Sequence, residues 1–479
     1  MSEFGLIGFG AYIPRLRIAR GIIAEAHKWM APGLKAQAKG SRAFASWDED
    51  AVTMAVEAGR DALLGASIST IATLYVASTT LPYADLSAAA LIAGALRAPE
   101  TFGSLNAGNA QRAGTSTLVQ AFKIREPALV IASDRLNAKP ASSQELGYGA
   151  GAAALTLGRG AVIARLLGAA SVTNMFVDHF RASGQNYDYF WEERWIREEG
   201  YAREAPKAIH LALAQAGLSM ADITHFIMPS VFKGGAEATA RSLNFQGLLV
   251  NGLEDGVGYT GAAHAMLMLV SALETAKPGD KLLVVGFGQG ADALILEVTD
   301  AIKNIPKRQA VSGSLADGIE TESYLRMLSF YGGIEPEWGM RAEKNAKTQL
   351  TEQFRSSDQM AGFVAGKCGV CGVIQFPQLQ NCVKCHAARG QFTAVSLVDE
   401  PANVLTSTAD WLSYHPAPPL WCGFVQFTNG ARTLMEMVDV GPGGIARGDE
   451  VRMVLRIKER DKERGYNRYF WKAKPVTTI

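Results

Sequence analysis

Four of the five cysteines of this 479-residue chain occupy the stretch CGVCGVIQFPQLQNCVKC, residues 368–385. Cys368 and Cys371 form one Cys-x-x-Cys pair, and Cys382 and Cys385 form a second. Each pair lets two thiolates bind one tetrahedral ion at about 2.3 Å from each sulfur. We therefore predict a structural zinc ion held by these four residues. Because four thiolates leave no open coordination position, we expect no catalysis at this site.

The fifth cysteine, Cys422, lies in the strand-like segment LWCGFV, so residues 1–367 contain no cysteine. A covalent acyl-cysteine intermediate is therefore impossible in residues 1–367. Five cysteines in so long a chain also argue against a disulfide framework. Any chemistry in the N-terminal part of the chain must use other side chains.

Composition and charge are those of an ordinary globular protein. The net charge is +1, with 48% hydrophobic and 19% charged residues, so we expect no bulk electrostatic binding of nucleic acid or of an anionic membrane. No uninterrupted apolar window approaches the ~18 residues of a membrane-spanning helix. The first residues, MSEFGLIGFGAYIPRLRIAR, lack the basic and apolar regions of a leader peptide. These features predict a cytoplasmic location.

Residues 1–300 alternate between apolar β-rich runs and alanine-rich helical stretches. The runs include IATLYVASTT, PALVIASD and KLLVVGFGQGA. The stretch DEDAVTMAVEAGRDALLGA has helical periodicity, and we expect Ser46 or Asp48 to be its N-cap. Strands that alternate with helices predict an α/β fold with a parallel or mixed sheet covered on both faces.

The order of elements in residues 74–158 recurs in residues 226–298, which predicts two similar halves. Between the halves, residues 177–201 are dense in aromatic and charged side chains. This segment is either a solvated helical excursion or a lid over a pocket. The glycine-rich GFGQGADA, residues 286–293, follows a strand. We expect a tight turn there rather than a dinucleotide site, because one short glycine run is weak evidence for such a site.

The C-terminal part has a different character. Residues 301–345 are more polar and predict a linker followed by a docking helix, and the short strands after the cysteines, with a turn at Asn429–Gly430, predict a compact OB-type barrel. The expected domains are two halves over residues 1–165 and 166–305, a linker with docking helices over 306–364, a zinc ribbon over 365–390 and an OB-fold domain over 391–479.

The segments GLIGFGAYIPRLRI, DEDAVTMAVEAGRDAL and GDKLLVVGFGQGADAL resemble the archaeal and bacterial hydroxymethylglutaryl-CoA synthases of the thiolase superfamily, over about residues 4–300. Residues from about 320 to 479 resemble small acyl-CoA-associated proteins that join a rubredoxin-like zinc ribbon to an OB fold. The resemblance implies an α-β-α-β-α layered fold of two pseudo-repeated halves. It also implies a coenzyme A thioester in a tunnel, and a homodimer or a hetero-oligomer with a thiolase-like subunit.

The family resemblance also implies four catalytic positions, a Glu, an acyl-accepting Cys, a His and an Asn, and this chain departs from all of them. Gln111 in QRAGT stands in the place of the Cys, and Thr79 in STTLPY stands in the place of the Glu. Met228 or Pro229 takes the position of the His, and Tyr259 in GYTGAA that of the Asn. The backbone frame around each position is kept, while the usual acyl-transfer chemistry is excluded.

Three interpretations of the function remain open. We favour an acyl-CoA C–C lyase or aldolase that works without an acyl-cysteine, with Tyr259, Gln111 and His264 as catalytic candidates, because retro-aldol cleavage needs a base and a polarised thioester but no thiol. The second is a catalytically silent, zinc-containing partner of a separate thiolase. The third is a β-ketoacyl-CoA decarboxylase. For His264, a satisfied interior histidine is the competing interpretation, and on a helix it would lie on a different face from Tyr259 or more than a turn away.

Overall fold

The computed structural model describes residues 3–108, 110–343, 346–347 and 349–476. The chain divides into two compact units. The first comprises Met1–Ser46, Asp50–Ala93 and Ala98–Gly333, and the second comprises Trp47–Glu49, Gly94–Arg97 and Ile334–Ile479. Among the described residues, no helix combines the length and the apolar character needed to cross a bilayer.

The first unit is built on one ten-stranded sheet with short accessory strands. Its strands are β1 (Phe4–Tyr12), β2 (Leu16–Ala19), β3 (Ser41–Phe44), β4 (Thr73–Ser78), β5 (Gly103–Gly108), β6 (Ala128–Arg135), β7 (Ala150–Arg159), β8 (Ala164–Thr173), β9 (His179–Phe180), β10 (Tyr189–Phe190), β11 (His225–Ile227), β12 (Leu248–Leu249), β13 (Lys281–Phe287), β14 (Gly290–Val298) and β15 (Ile319–Thr321).

The sheet repeats one topology twice. Its strand order is β12-β11-β13-β14-β8-β1-β7-β6-β4-β5. In one half β4 is parallel to β6 and β6 antiparallel to β7; in the other, β11 is parallel to β13 and β13 antiparallel to β14. The predicted α/β fold with two pseudo-repeated halves is therefore confirmed, and the repeated order of elements in the sequence is its origin.

Helices accompany these strands. They are α1 (Arg20–Ala26), α2 (Ala51–Ala62), α3 (Ala88–Ala95), α4 (Ala113–Ile124), α5 (Ser143–Gly147), α6 (Glu193–Trp195), which continues into a π-helix (Ile196–Glu204), α7 (Ala205–Ala216), α8 (Gly235–Ser242), α9 (His264–Leu273), α10 (Ala310–Ala316) and α11 (Tyr324–Phe330). Helices α10 and α11 and strand β15, which pairs with β2, belong to the first unit. The finer domain limits stay a prediction.

Helix α2 begins one residue after Asp50. The Asp50 carboxylate accepts the amide hydrogens of Val52 and Thr53, and the Thr53 hydroxyl in turn accepts the Asp50 amide. The expectation of Ser46 or Asp48 as N-cap is therefore wrong. An N-cap side chain must reach the amides of the second and third helical residues, which only the residue directly before the helix does.

Helices α4 and α9 form the buried centre of the first unit. All residues of α9 except Ser271 are buried. Where α4 begins, a Cβ added at Gly114 would lie 2.4 Å from the Ala262 carbonyl oxygen. Glycine is required at this contact because any side chain would push the two segments apart. The contact places the residues around Gln111 beside the residues that follow Tyr259.

The second unit contains a small metal-ribbon sheet and a closed barrel. Its elements are helices α12 (Leu350–Arg355) and α13 (Ser357–Met360) and strands β16 (Val364–Cys368), β17 (Ile374–Gln375), β18 (Phe392–Ser396), β19 (Ala402–Val404), β20 (Thr408–Asp410), β21 (Leu420–Phe427), β22 (Arg432–Met437), β23 (Glu450–Asp461) and β24 (Tyr466–Pro475). Strands β16 to β18 form the ribbon sheet.

The barrel closes through β19, which pairs with both β23 and β21. Five strands thus form the ring, and β20 adds to the edge of β21. Asn429 and Gly430 lie in the hairpin turn between β21 and β22, as predicted. The fully buried ring of Phe363 packs 4.8 Å from the ring of Phe376 in the ribbon and 5.9 Å from Phe427 in the barrel. The predicted four-cysteine ribbon and small barrel are confirmed as a fold, and zinc as the ion stays a prediction.

Candidate active site and metal centre

Asp134 joins two of the segments in which the resemblance implies replaced catalytic residues, those of Thr79 and Tyr259. This buried carboxylate, at the end of β6, accepts hydrogen bonds from the Ser78 hydroxyl at 2.9 Å, the Thr79 amide at 2.7 Å and the Ala262 amide at 2.8 Å. Its other donors are the hydroxyls of Thr79 at 3.0 Å and Thr80 at 2.8 Å. Burial raises the pKa of Asp134, and these donors oppose that rise. The hydroxyl of Thr79 is thus occupied in holding the frame.

Gln111 precedes α4 and has a polar group without a partner. Its side-chain carbonyl Oε1 is buried, and among the described residues it has no hydrogen-bond partner. The backbone turn after β13 lies close to it, since a Cβ added at Gly288 would come 3.0 Å from the Gln111 Cβ. Arg112 fixes this turn by donating to the Gly288 carbonyl at 2.8 Å and to the Asp292 carboxylate at 2.6 Å.

The glycine-rich segment forms that turn. It connects the antiparallel strands β13 and β14 directly, and Gln289 has a φ of +51° in it. A strand-to-helix crossover, which a dinucleotide site requires, does not follow β13. The segment is therefore a tight turn, as expected.

Tyr259 is buried between aromatic neighbours and is held by its backbone. Its amide donates to the Gly147 carbonyl at 2.8 Å, and its carbonyl accepts the Gly149 amide at 2.7 Å. Its ring centroid lies 6.2 Å from Tyr148 and 5.9 Å from His179. Its hydroxyl forms no hydrogen bond with any described residue, although 9% of the residue is exposed. Burial, and then the nearby carboxylates, raise the pKa of Tyr259 well above its usual value, so the phenol is neutral at physiological pH.

His264 lies beside Tyr259 but has no free nitrogen. Helix α9 begins at His264 and Tyr259 lies before it, so the separation expected for two residues on one helix does not apply. A 3₁₀ turn, Gly261–Ala263, connects the two residues, and their ring centroids lie 5.1 Å apart. Nε2 donates to the Gly252 carbonyl at 2.8 Å, and Nδ1 accepts the Thr260 amide at 3.2 Å. Burial lowers the pKa of His264 to about 4. The imidazole is therefore neutral and satisfied by internal bonds.

The segment 177–201 contributes side chains that the sequence did not single out. His179, on β9, is fully buried, and its Nδ1 lies 2.9 Å from an Asp178 carboxylate oxygen. Its Nε2 lies 3.9 Å from the Asp188 carboxylate, which accepts the Tyr148 hydroxyl at 2.6 Å. The Phe190 ring stacks on the imidazole at 4.7 Å. Two carboxylates, one imidazole and two phenols thus meet in one aromatic-walled cluster.

The carboxylates around His179 make its imidazole a stronger base than usual. Neither ring nitrogen has a well-aligned hydrogen bond among the described residues, so the 2.9 Å approach of Asp178 is an ion-pair contact with a poor donor angle. Burial by itself lowers the pKa of His179, but Asp178, Asp188 and Asp134 outweigh it, and the pKa lies above its usual value. The only signal in the sequence was the density of aromatic and charged residues between the two halves.

The four predicted metal ligands meet in the ribbon. Their sulfur atoms all lie within 4.8 Å of one another, with Sγ–Sγ separations of 3.6 Å for Cys368 and Cys385 and 3.5 Å for Cys371 and Cys382. None of the four forms a disulfide. Four thiolates around an ion at about 2.3 Å define tetrahedron edges of about 3.8 Å. The arrangement therefore fits a tetrahedral thiolate site, which would stabilise the ribbon.

Comparisons with known proteins agree with this fold. Residues 213–298 match the family model of the 3-oxoacyl-[acyl-carrier-protein (ACP)] synthase III C terminal. A hydroxymethylglutaryl-CoA synthase of Methanopyrus kandleri is 30% identical over 324 residues, which cover 64% of this chain and 91% of that protein. An HMG-CoA synthase structure in complex with CoA matches with a TM-score of 0.59 and 17% identity, over 73% of this chain and 95% of that one. MvaS in complex with 3-hydroxy-3-methylglutaryl coenzyme A matches with a TM-score of 0.57 and 17% identity, over 69% and 92%.

Proposed function

The chain belongs to the hydroxymethylglutaryl-CoA synthase family of the thiolase superfamily, and on that premise we propose that it cleaves or forms a C–C bond of an acyl-CoA without an acyl-cysteine. The observation that carries this proposal is Tyr259, whose hydroxyl has no hydrogen-bond partner among the described residues and whose ring centroid lies 5.9 Å from that of His179. Asp178 and Asp188 flank His179. A phenol next to a carboxylate-supported imidazole is a proton-transfer arrangement, and the resemblance implies that Tyr259 stands in the place of the family's Asn.

Tyr259 relays a proton in this proposal. Its raised pKa excludes a stable phenolate, but a relay needs none: the substrate β-hydroxyl gives its proton to the Tyr259 oxygen as the Tyr259 proton passes to His179. His179 is fully buried, so it acts through Tyr259 and is a positioning residue. The ring-to-ring distance of 5.9 Å must shorten when substrate binds, as catalytic contacts commonly do.

Gln111 supports the thioester in the same reaction. As the β-hydroxyl loses its proton, the O–H electrons form a carbonyl, the Cα–Cβ bond breaks, and its electrons pass to the thioester as an enolate. The Gln111 amide donates a hydrogen bond to the enolate oxygen. The first turn of α4 donates hydrogen bonds to the same oxygen, and the helix dipole stabilises its negative charge. The proton then returns from His179 through Tyr259 to Cα. An acyl-CoA and an aldehyde or ketone are the products, and no atom of the chain is acylated.

In the proposed function, the cysteine cluster has a structural role. Zinc is the ion we propose for Cys368, Cys371, Cys382 and Cys385, because a site of four thiolates suits zinc. It would hold the ribbon and supply no open position for substrate.

A partner without catalytic activity is the alternative. The observation in its favour is that residues 1–367 contain no cysteine. The resemblance further implies that the Cys, Glu, His and Asn of the family are all replaced here, by Gln111, Thr79, Met228 or Pro229, and Tyr259. Such a chain would assemble with a separate thiolase-like subunit, whereas the enzyme we propose works as a homodimer or with such a subunit. In a decayed pocket we expect apolar replacements, because an unpaired buried polar group costs about 1–3 kcal/mol; Gln111 and Tyr259 are polar.

The test of the proposed function is Tyr259→Phe. Turnover of a β-hydroxyacyl-CoA should fall at least about 10²-fold, the usual scale for a lost acid–base group, with CoA binding and metal content unchanged. Tyr201→Phe is the matched control, since Tyr201 is another buried tyrosine of the first unit, and its oxygen accepts the Val231 amide. An unchanged rate for Tyr259→Phe, with activity lost when a co-purifying thiolase loses its nucleophile, would establish the partner alternative.

The pH profile tests the role of His179. The acid limb of kcat/KM reports protonation of the free enzyme's base, and it should lie above about pH 6.5, the ordinary histidine value, because Asp178, Asp188 and Asp134 face the imidazole together with the neutral phenols Tyr148 and Tyr259. Asp178→Asn removes the largest attraction and should move the limb to lower pH. A limb that stays in place in Asp178→Asn would exclude His179 from the relay.

A further inference from the structure

A buried guanidinium that forms no ion pair with any described residue lines a small cavity in the first unit. Arg42, on β3, is only 3% exposed. Its Nη1 donates to the Glu145 carbonyl, and its Nε has no partner within the described part of the chain. No carboxylate among the described residues forms an ion pair with it. Because arginine stays charged at every physiological pH, this is a desolvated positive charge. The Glu145 carboxylate attracts it from beyond ion-pair distance and offsets only part of the cost of its burial.

The cavity beside Arg42 offers further donors. It has a volume of about 20 Å³ and is lined by Arg42, Asn137, Tyr187, Tyr331 and Glu145 together with apolar side chains. That volume exceeds the ~10–15 Å³ that one buried water needs. The Tyr331 oxygen accepts the Ala45 amide at 3.1 Å, so its hydroxyl proton is free to be donated. The Asn137 amide and the Tyr187 hydroxyl form no hydrogen bond with described residues.

Glu145 is the one acid on the cavity wall, and its oxygens are already occupied. One accepts the Tyr324 hydroxyl at 2.6 Å. The other lies 3.1 Å from His27 Nε2 and accepts the Ala141 amide at 2.8 Å. The Glu145 carboxylate therefore satisfies donors of its own surroundings, and the free donors of the cavity belong to Arg42, Tyr331, Asn137 and Tyr187.

We propose that this cavity binds a carboxylate group, which the Arg42 guanidinium and the Tyr331 hydroxyl hold in place. A carboxylate matches the planar fork of a guanidinium, and it fits the small volume better than a phosphate, which presents more oxygens than these donors satisfy. Burial lowers the pKa of Arg42, in agreement with a charge held away from water.

Two sources can supply the carboxylate. One is a small free acid such as acetate. The other is the distal carboxylate of an acyl group bound at the candidate active site, since Tyr187 directly precedes Asp188, whose carboxylate accepts the Tyr148 hydroxyl. Only this second source rests on the proposed function. It would make the substrate a thioester of a dicarboxylic acid.

The first experiment uses acetate on the whole protein. Thermal unfolding is followed in sodium acetate against sodium chloride at equal ionic strength, and the melting temperature should rise saturably with acetate. Arg42→Met should lose that rise, because it removes the guanidinium that would hold the acetate. The matched control is Arg20→Met, which removes a neighbouring guanidinium bonded to the carbonyls of Leu146, Lys39 and Glu254; it should keep the acetate response.

The second experiment distinguishes the source. Binding of glutaryl-CoA is compared with that of pentanoyl-CoA, which has the same chain length and no carboxylate. If the acyl group supplies the carboxylate, Arg42→Met should weaken the binding of glutaryl-CoA at least about tenfold, the scale of a lost charge-assisted pair. The binding of pentanoyl-CoA should be unchanged. Should Arg42→Met not fold, Arg42→Lys and Tyr331→Phe serve instead. If neither acetate binding nor glutaryl-CoA binding depends on Arg42, the proposed carboxylate site is wrong. If acetate binds through Arg42 but the chain cleaves no thioester, only the proposed function is refuted.

Discussion

Two histidines that lie near Tyr259 have opposite electrostatic environments. His264 has a carbonyl and an amide as partners, and burial lowers its pKa to about 4. His179 has Asp178 and Asp188 beside it, and these carboxylates raise its pKa against the effect of burial. The difference assigns them different work: a neutral His264 holds the loop after Tyr259, while His179 is the group in this cluster able to take up a proton.

His264 should contribute a pH-dependent part of the stability. Its pKa is about 4 in the folded chain and about 6.5 when unfolded, so its contribution is full above pH 6.5 and is lost as the pH falls toward 4. The shift corresponds to about 3 kcal/mol. His264→Gln should therefore flatten the pH dependence of the free energy of unfolding between pH 4.5 and 7, measured by denaturant titration.

The control for that measurement is His210→Gln. His210 is exposed on α7, so this variant removes a histidine without touching the buried loop, and its curve should follow that of the unaltered protein. If the free energy of unfolding changes equally with pH in His264→Gln and in the unaltered chain, His264 binds as many protons in the folded chain as in the unfolded chain.

Among single residues, the sequence identified side chains that stand in the place of a family residue better than side chains without a counterpart in the family pattern. Gln111 and Tyr259 were found because the frames QRAGT and GYTGAA keep the family pattern. His179 and Asp178 have no such frame, and their strand β9 has only two residues, too few for a periodic pattern. Arg42 was missed for a different reason: whether an arginine has an ionic partner is decided by distant parts of the chain.

Among the elements, the strands between the two halves, β9 and β10, were too short to be predicted from the sequence. His179 is buried and Phe180 exposed on β9, and Tyr189 is exposed on its partner β10. The alternation is that of a hairpin with one face inward. Neither of the two expectations for residues 177–201, a solvated excursion or a lid, included this hairpin. The helical part that follows, Ile196–Glu204, is a π-helix with Tyr201 buried.

The ribbon is the element whose sequence signal was strongest. Two Cys-x-x-Cys pairs specify ligands and spacing within one stretch, and the turns follow locally: the Gly372 amide donates to the Cys368 carbonyl at 2.9 Å, and the His386 amide donates to the Cys382 carbonyl at 3.0 Å. A long-range contact is not needed to form either knuckle. Short-range chemistry of this kind is readable from sequence, whereas the closure of the barrel through β19 is not.

Removing one thiolate should unfold the ribbon and release its metal. We expect about one zinc per chain in the purified protein and well below one in Cys382→Ser, because such sites couple metal binding to folding. Metal analysis and limited proteolysis at residues 364–396 measure the two effects. Cys422→Ser, outside the cluster, is the matched control and should keep its metal. An ordered ribbon with far less than one equivalent of metal would contradict the assignment.

For the whole molecule, the distribution of cysteines distinguishes the unit that contains the cysteine cluster from the unit that has no thiol. All five cysteines lie in the second unit, and four of them form the metal cluster. The ten-stranded sheet of the first unit was predictable because its two halves repeat one order of strands and helices, and repetition is visible in sequence. The division at Gly333 was not predicted, since β15 pairs with β2 across a long sequence separation. Pairings of that kind leave no local pattern.

The absence of cysteine from residues 1–367 leads to the last prediction, which concerns how the whole chain handles a thioester. Incubation with labelled acetyl-CoA, followed by mass spectrometry of peptides, should detect no acyl adduct before Cys368, because neither Gln111 nor a thiol is available as a nucleophile. The purified chain should nevertheless turn over a β-hydroxyacyl-CoA, since the relay through Tyr259 forms no covalent intermediate. A stable adduct on this part of the chain would instead reveal a Ser, Thr or Tyr nucleophile. Turnover that appears only with an added thiolase would place the chemistry in that subunit.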